Sequence, residues 1–273
     1  MSRKNNAKKK QFKVAHWNVN GLRAILRKKE LQKFVQKIQP DILCLTETKL
    51  SLPDEKMRKT LNETFPQYTD IVLNTSSKKK GYSGVAVLSS LTPVGEIKLG
   101  IGATADDEGR TITIDYGSFV VIVVYTPNAG QGLRRLEYRT KSWDTKFRNY
   151  TKSLMDSGKP VVILGDLNCA RTALDIVNGE NKTNLAGYTP QERASFEQLM
   201  LKTKLIDSFR VRNPKKRQYT YWNYRTRARE KCIGWRIDYV LVDPRLKFVS
   251  PRIHDDQMGS DHAPISVSIR PYS

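Results

Sequence analysis

With 273 residues, 38% of them hydrophobic and 9% aromatic, the chain carries enough apolar material for a sizeable core, which excludes a disordered polymer and leaves one large domain or two small ones. Lys and Arg number 48 against 27 Asp and Glu, a formal charge of +21 that repels itself unless a polyanion is the partner, so nucleic acid is the first expectation. Membrane binding is not expected, because the sequence holds no long apolar span and no Lys-rich amphipathic helix with Trp or Phe along one face.

Residues 1–12 read as a disordered basic arm, with Lys8, Lys9 and Lys10 in a row and no apolar stretch of the kind a secretory signal needs. One folded domain, 13–273, is expected after it, although Phe12 already opens the first strand candidate, Phe12 to Asn18. Leu22, Ile25, Leu26, Leu31, Phe34, Val35 and Ile38 then predict an amphipathic helix ending near Gln39 and Pro40. The strand Asp41 to Thr46 exits into Glu47, and a short helix is expected over Lys56 to Leu61. Further strands are predicted at Ile71 to Asn74, Ser83 to Ser89, Thr111 to Tyr116 and Phe119 to Tyr125, the last two joined as a hairpin by Gly117 and Ser118. Arg134 to Met155 reads as a helix.

Pro160 to Ala170 is the central stretch: a β-rich apolar run, Val161 to Leu164, that ends in Asp166 and Asn168. A run apolar at every position is expected to be covered on both faces, and the two polar residues fall on one side of an extended chain. Taken alone, Gly-Asp-Leu-Asn serves equally well as a turn. Next come a polar loop, 178–187, and a helix from Thr189, as N-cap, and Pro190 to about Leu201. Then follow Leu205 to Phe209, a basic aromatic stretch from Arg210 to Arg236, and strands expected at Arg236 to Val242 and Ile265 to Ile269. The three cysteines, Cys44, Cys169 and Cys232, make no CxxC pair and fit a reducing intracellular compartment; the expected location is the nucleus in a eukaryote and the cytoplasm or nucleoid in a prokaryote.

Polar groups therefore recur at strand mouths: Asn18 and Asn20, Glu47, Asp166 and Asn168, and Ser260-Asp261-His262. Asp238 lies inside an apolar strand, where an unpaired carboxylate costs several kcal/mol. Any one of these is commonly a turn or a satisfied ion pair. Together they offer hard oxygen ligands suited to Mg²⁺ or Mn²⁺, a candidate base and one histidine.

The stretches Trp-Asn-Val-Asn-Gly-Leu-Arg-Ala (17 to 24), Leu-Thr-Glu-Thr-Lys (45 to 49), Gly-Tyr-Ser-Gly-Val (81 to 85), Tyr-Thr-Pro-Asn-Ala-Gly (125 to 130), Gly-Asp-Leu-Asn (165 to 168), Gly-Trp-Arg-Ile-Asp-Tyr (234 to 239) and Gly-Ser-Asp-His-Ala-Pro (259 to 264) carry a resemblance. From Lys13 to Ile269 the chain resembles the exonuclease III family of abasic-site DNA endonucleases. That resemblance implies an α/β fold: a four-layer sandwich of two packed mixed β-sheets flanked by helices, of the endonuclease/exonuclease/phosphatase type, forming a single catalytic domain. It implies cleavage 5′ to an abasic site to leave a 3′-hydroxyl, with 3′-exonuclease and 3′-phosphodiesterase side activities. Mg²⁺ is the implied cofactor, with Mn²⁺ as substitute, and the implied partner is double-stranded DNA bound by a monomer.

Residue by residue, the resemblance makes Glu47 the principal metal carboxylate, with Asn20 and Asp261 near the metal. Asp166 positions and deprotonates the attacking water, while Asn18 and Asn168 hold phosphate, metal-bound water and nucleophile. His262, oriented by Asp238, donates to a phosphate oxygen; Tyr125 lies beside the phosphate and Asn128 binds it. Tyr82 and Arg110 match positions that contact the DNA backbone. Tyr221, Trp235 and Ile237 match an apolar pocket for a flipped-out sugar, and Gln131 and Arg225 match DNA-contacting positions. Asn20 stands where some members carry Asp, and Gln131 where the animal enzymes carry an Arg that inserts into DNA. Phosphatases share this architecture, so the fold leaves the substrate open; the cations and aromatics between 219 and 237 favour nucleic acid. Trp222, in the same stretch, is expected in the core.

Overall fold

Apolar runs that alternate between two buried faces give this chain two sheets and three hydrophobic layers. The computed structural model describes residues 11–51, 54–102, 107–181 and 184–271. In chain order the elements are β1 (Phe12–Asn18), α1 (Leu22–Arg27), α2 (Glu30–Ile38), β2 (Ile42–Thr46), α3 (Glu55–Thr64), β3 (Asp70–Asn74), β4 (Val85–Ser89), β5 (Lys98–Leu99), β6 (Thr111–Asp115), β7 (Val120–Tyr125), α4 (Asp144–Asp156) and β8 (Val161–Asp166). They continue with α5 (Pro190–Thr203), β9 (Ile206–Asp207), α6 (Ser208–Arg212), β10 (Asp238–Val242), β11 (Leu246–Ile253) and β12 (Ile265–Pro271).

One sheet has the order β11-β12-β1-β2-β4-β3 and the other β5-β6-β7-β8-β10-β9. Each contains one parallel pair, β1 with β2 and β7 with β8, among antiparallel neighbours. Val14, Ile42, Cys44, Val85 and Val87 of the first sheet pack against Ile112, Val121, Val123, Val162, Leu164 and Val240 of the second. The alternate residues of the same strands, such as Leu43 and Leu45 or Ile122 and Ile163, face outward and are covered by helices. This is the expected four-layer sandwich, and it explains why the central strands are apolar at every position. No helix among the described residues is long and apolar enough to cross a membrane.

Several elements differ from the sequence expectation, each for a local reason. The single helix expected from Leu22 to Ile38 is two, because the step from Leu26 to Leu31 is five residues and the chain re-aims at Lys29, whose φ is 59°. The helix expected from Arg134 begins as a wide π turn, Tyr138–Trp143, before α4. Leu205 to Phe209, to which the sequence reading assigns no element, holds a two-residue strand and then the start of α6, capped by the Asp207 carboxylate, which accepts from Arg210 N at 3.1 Å. β11 was not anticipated: Pro251 argues against a strand, and the strand tolerates it at an irregularity between Val249 and Arg252 beside the left-handed Ser250. Phe12 belongs to β1, buried against Phe119 with ring centroids 5.3 Å apart, and so lies in the folded domain, not the arm; residues 1–10 fall outside the described residues. The helix cap at Thr189 is as expected, with a capping box to Glu192 and Pro190 in the first turn.

Candidate active site

Parallel pairing in the two sheets aligns strand ends. Asn18 pairs with Thr46, and Tyr125 and Asp238 both pair with Asp166, so the polar ends of β1, β2, β7, β8 and β10 open on one side. The chain leaves three of these ends through left-handed residues: Asn20 (φ 46°), Glu47 (φ 50°) and Asn168 (φ 48°). Asparagine tolerates that region, whereas Glu there is held at a cost of order 1 kcal/mol by its surroundings.

Asp166 is the hub. Its Oδ1 accepts from the Asn168 backbone N–H at 2.8 Å and its Oδ2 from Asn18 Nδ2 at 3.0 Å. The same Asn18 amide donates to Glu47 Oε1 at 3.1 Å, and the Tyr125 hydroxyl donates to that oxygen at 2.7 Å. His262 approaches with Nε2 3.9 Å from Asp166 Oδ2, while its Nδ1 is bonded to Asp238 Oδ2 at 2.8 Å. A Trp17 indole bond to the His262 carbonyl and the Ser260 hydroxyl, which accepts from His262 N at 3.2 Å and donates to the Asn18 carbonyl at 2.7 Å, fix the loop that carries it. On the other flank, Asn128 Nδ2 donates to Asn168 Oδ1 at 2.9 Å, and Asn168 Nδ2 to the Thr126 carbonyl at 2.9 Å.

Burial and neighbouring charge set these groups apart electrostatically. Burial, then the Asp238 charge, pushes the Asp166 carboxyl up to about 7. Burial alone would lower the His262 imidazole, but Asp238, with Asp166 and Asp261 beyond it, carries it up to about 10. Burial raises Glu47, yet His262, Lys49 and the bonds from Asn18 and Tyr125 bring it below its ordinary value. Tyr125 is held well above its ordinary value by burial and by Glu47 and Asp166, and so remains a donor.

Glu47, Asp166 and His262 each place a ligand atom within 4.8 Å of the others. Asn20 Nδ2 donates to Asp261 Oδ1 at 2.9 Å, and the Lys49 ammonium bonds Asn20 Oδ1 and lies 3.1 Å from Glu47 Oε2. Oxygen donors dominate this set, and a side-chain cation already sits against its carboxylate, so the residues fit a hard divalent cation.

Tyr221, Trp235 and Ile237 come together with Ala170, Ile176 and Tyr188 in a small apolar cluster, and the Tyr221 ring lies 4.9 Å from that of His262. Trp222 is buried under the Arg229 guanidinium, 4.5 Å from its ring centroid, as expected. Gln131 and Arg225 lie exposed in short turns, 131–133 and 224–226. Arg110 is placed differently from the expectation of a backbone contact: it is 2% exposed, bonded to Glu108 at 2.7 Å and to the Tyr125 carbonyl at 2.9 Å. Its remaining nitrogen donates to the Tyr82 hydroxyl at 2.7 Å, so it braces Tyr82 from beneath. A guanidinium so enclosed is a scaffold for the surface, not part of it.

Sequence reasoning missed four groups. Lys49 stands two residues after Glu47, and Arg135 donates to Tyr82 and Glu108. Buried Arg139 donates to the carbonyls of Pro127, Leu167 and Asn168 at 2.6 to 3.1 Å, tying both loops of the site together. His16, buried behind Asp238, was legible only as one of three histidines, two positions before Asn18 on the same strand face.

A model of the endonuclease/exonuclease/phosphatase family matches residues 15–262. The chain is 42% identical over 260 residues to a protein of Danio rerio named DNA repair nuclease APEX1, covering 94% of this chain and 81% of that one. It is 39% identical over 262 residues to an exodeoxyribonuclease of Bacillus subtilis, covering 94% and 99%. Among solved structures, an AP endonuclease from Leishmania major superposes with a TM-score of 0.84 at 30% identity, covering 96% of this chain and 89% of that one.

Proposed function

The chain belongs to the endonuclease/exonuclease/phosphatase family, and from that premise we propose that it is a Mg²⁺-dependent class II abasic-site DNA endonuclease, acting as a monomer on duplex DNA. It hydrolyses the phosphodiester 5′ to the lesion and leaves a 3′-hydroxyl. The observation that carries this reading is the placement of Asp166, a buried carboxyl pushed up by its burial, 3.9 Å from the imidazole of His262, which Asp238 holds at 2.8 Å beside the apolar cluster of Tyr221, Trp235 and Ile237. The relatives named for DNA repair and exodeoxyribonuclease activity, and the excess of cations, point the same way.

Asp166 takes the proton of the attacking water; the Asn168 N–H and the Asn18 amide hold its two oxygens in place. A base of near-neutral pKa is well matched to proton abstraction at physiological pH. His262 Nε2 donates to a non-bridging phosphate oxygen, and Asp238 fixes its ring by holding Nδ1. Asn128, Asn168 and the Tyr125 hydroxyl steady the phosphate. Glu47, with Asn20 and Asp261 beside it, would hold the Mg²⁺ ion, or Mn²⁺ in its place, which would supply positive charge against the charge gathering on the phosphate and the departing oxygen. Tyr221, Trp235 and Ile237 receive the bare sugar, and Tyr82, Gln131 and Arg225 contact the DNA around it. Extruding an abasic nucleotide loses little stacking, which favours the lesion before the pocket is filled.

The test is incision of an end-labelled duplex carrying one abasic analogue, with and without Mg²⁺. A single cut 5′ to the lesion that a polymerase can extend is expected. Cutting that survives excess chelator, or no cutting at all, rejects the reading.

A further inference from the structure

The inner face of β1 runs Val14, His16, Asn18, and that of β10 runs Asp238, Val240, Val242; the apolar members meet in the core between the sheets. His16 breaks the apolar pattern at full burial, next to the buried Thr46 at the end of β2. A buried polar side chain in such a layer is costly unless it is bonded. Its Nε2 lies 3.1 Å from Thr46 Oγ1. Its Nδ1 lies 3.5 Å from Asp238 Oδ1, and neither of those two atoms has a hydrogen-bond partner of its own. Asp238 Oδ2, the other oxygen of that carboxylate, is the one that holds His262.

The geometry points to His16 as a positioning residue: it pins the free oxygen of Asp238 and so locks the carboxylate that aims His262 at the substrate. A neutral imidazole has one donor and one acceptor. A Thr46 hydroxyl that donates to Nε2 leaves Nδ1 as the donor, 3.5 Å from Asp238 Oδ1. The result is a line of groups, Thr46 to His16 to Asp238 to His262, that spans both sheets and ends at the reacting phosphate. Without His16, Asp238 is free to rotate about its terminal torsion, which is soft for an sp² group. A carboxylate satisfied on one oxygen only then holds His262 less firmly.

This inference rests on the proposed role of His262, so the experiment has one arm that needs no activity. In metal-free protein labelled with ¹⁵N in its histidines, the His16 ring is expected to be protonated on Nδ1 and bare on Nε2; the opposite tautomer overturns the inference whatever the enzyme does. The His262 Nδ1 proton, held at 2.8 Å by Asp238, is expected to be sharp in the wild type and in His16→Asn, whose carboxamide keeps a donor near the position of Nδ1. In His16→Leu it is expected to shift and broaden.

In the kinetic arm, His16→Leu is expected to lower kcat roughly 10- to 100-fold, the range typical of losing a group that orients a ligand or a base, with KM unchanged. His16→Asn is expected to restore most of that loss. His254→Leu, which empties another buried histidine site, one whose ring is bonded to Ser266 at 2.8 Å, should leave kcat alone. A His16→Leu enzyme with wild-type kcat, or equal losses in the Leu and Asn variants, overturns the inference. Should His16→Leu not fold, the wild-type tautomer and the Asn variant still decide it. A wild type that fails to cut abasic DNA removes the functional reading while leaving the tautomer test intact.

Discussion

In the role proposed for it, Asp166 has to be ionised to accept a proton and buried to be held in place, and these demands oppose each other. The conflict is what lifts its carboxyl to about 7, with the Asp238 charge adding to the effect of burial. Asp166→Asn keeps the shape and the contact with Asn18 but has no lone pair basic enough for water. Incision should fall by at least ~10²- to 10⁴-fold, the usual worth of a general base, with duplex affinity nearly unchanged. Single-turnover cleavage beside equilibrium binding checks this, and near wild-type turnover would remove Asp166 from its role. On the same proposal selectivity belongs to other residues, since every nucleotide carries the phosphate assigned to Asp166 and His262. Trp235→Ala should enlarge the space beside Tyr221 and Ile237 and lower abasic incision more than cutting at base-bearing sites. The ratio of rates on matched duplexes with and without the lesion is the measurement; an unchanged ratio would place discrimination in strand insertion near Gln131 and Arg225.

The elements matter to the site through what they bury behind it. The wide turn Tyr138–Trp143 ahead of α4 presents Arg139 to the underside of two loops, 126–128 and 167–168, and Glu192, from the first turn of α5, lies 3.4 Å from the same guanidinium. Three carbonyls and one oxygen of a buried carboxylate meet on this one side chain, while the other Glu192 oxygen is held by Gly187 and Thr189. Arg139→Met would take the donor from the three carbonyls and the cation from Glu192, and removal of one partner from a buried ionic site costs on the order of 3–5 kcal/mol. A urea midpoint lowered to match, together with a drop in kcat because Asn128 and Asn168 lose their common anchor, is the expected outcome. If the midpoint stayed at the wild-type value, water would have to be replacing the guanidinium. The same logic assigns Arg110 and Arg135 to the support of Tyr82 rather than to free surface charge.

At the scale of the whole molecule, the net charge of +21 acts on DNA as a field and not as a set of contacts. Each phosphate neutralised releases counterions, so log K should fall linearly with log salt with a slope of about −0.9 per contact. Deleting residues 1–10, which carry Arg3, Lys4, Lys8, Lys9 and Lys10, should flatten that slope and leave turnover at saturating DNA unchanged. A titration of binding against salt for both forms tests it, and a loss of turnover would mean that the arm takes part in the chemistry.

Strand ends and their polar residues were legible in the sequence because they are local. Apolar runs stop where Asn18, Glu47 and Asp166 begin, and the two-residue repeat of an extended chain fixes which neighbours share a face. The cap at Thr189 was legible for the same reason. The sequence did not reveal the break at Lys29, the irregular β11, or the burial of Arg110, since each depends on what packs against the segment from elsewhere. Asn18 meets Asp166 across 148 positions and Asp238 lies between two histidines, His16 and His262, from opposite ends of the chain. Register and burial are properties of the assembled sheets, and they alone decide which carboxyl is pushed up, which histidine is raised by its carboxylate neighbours, and which arginine is enclosed.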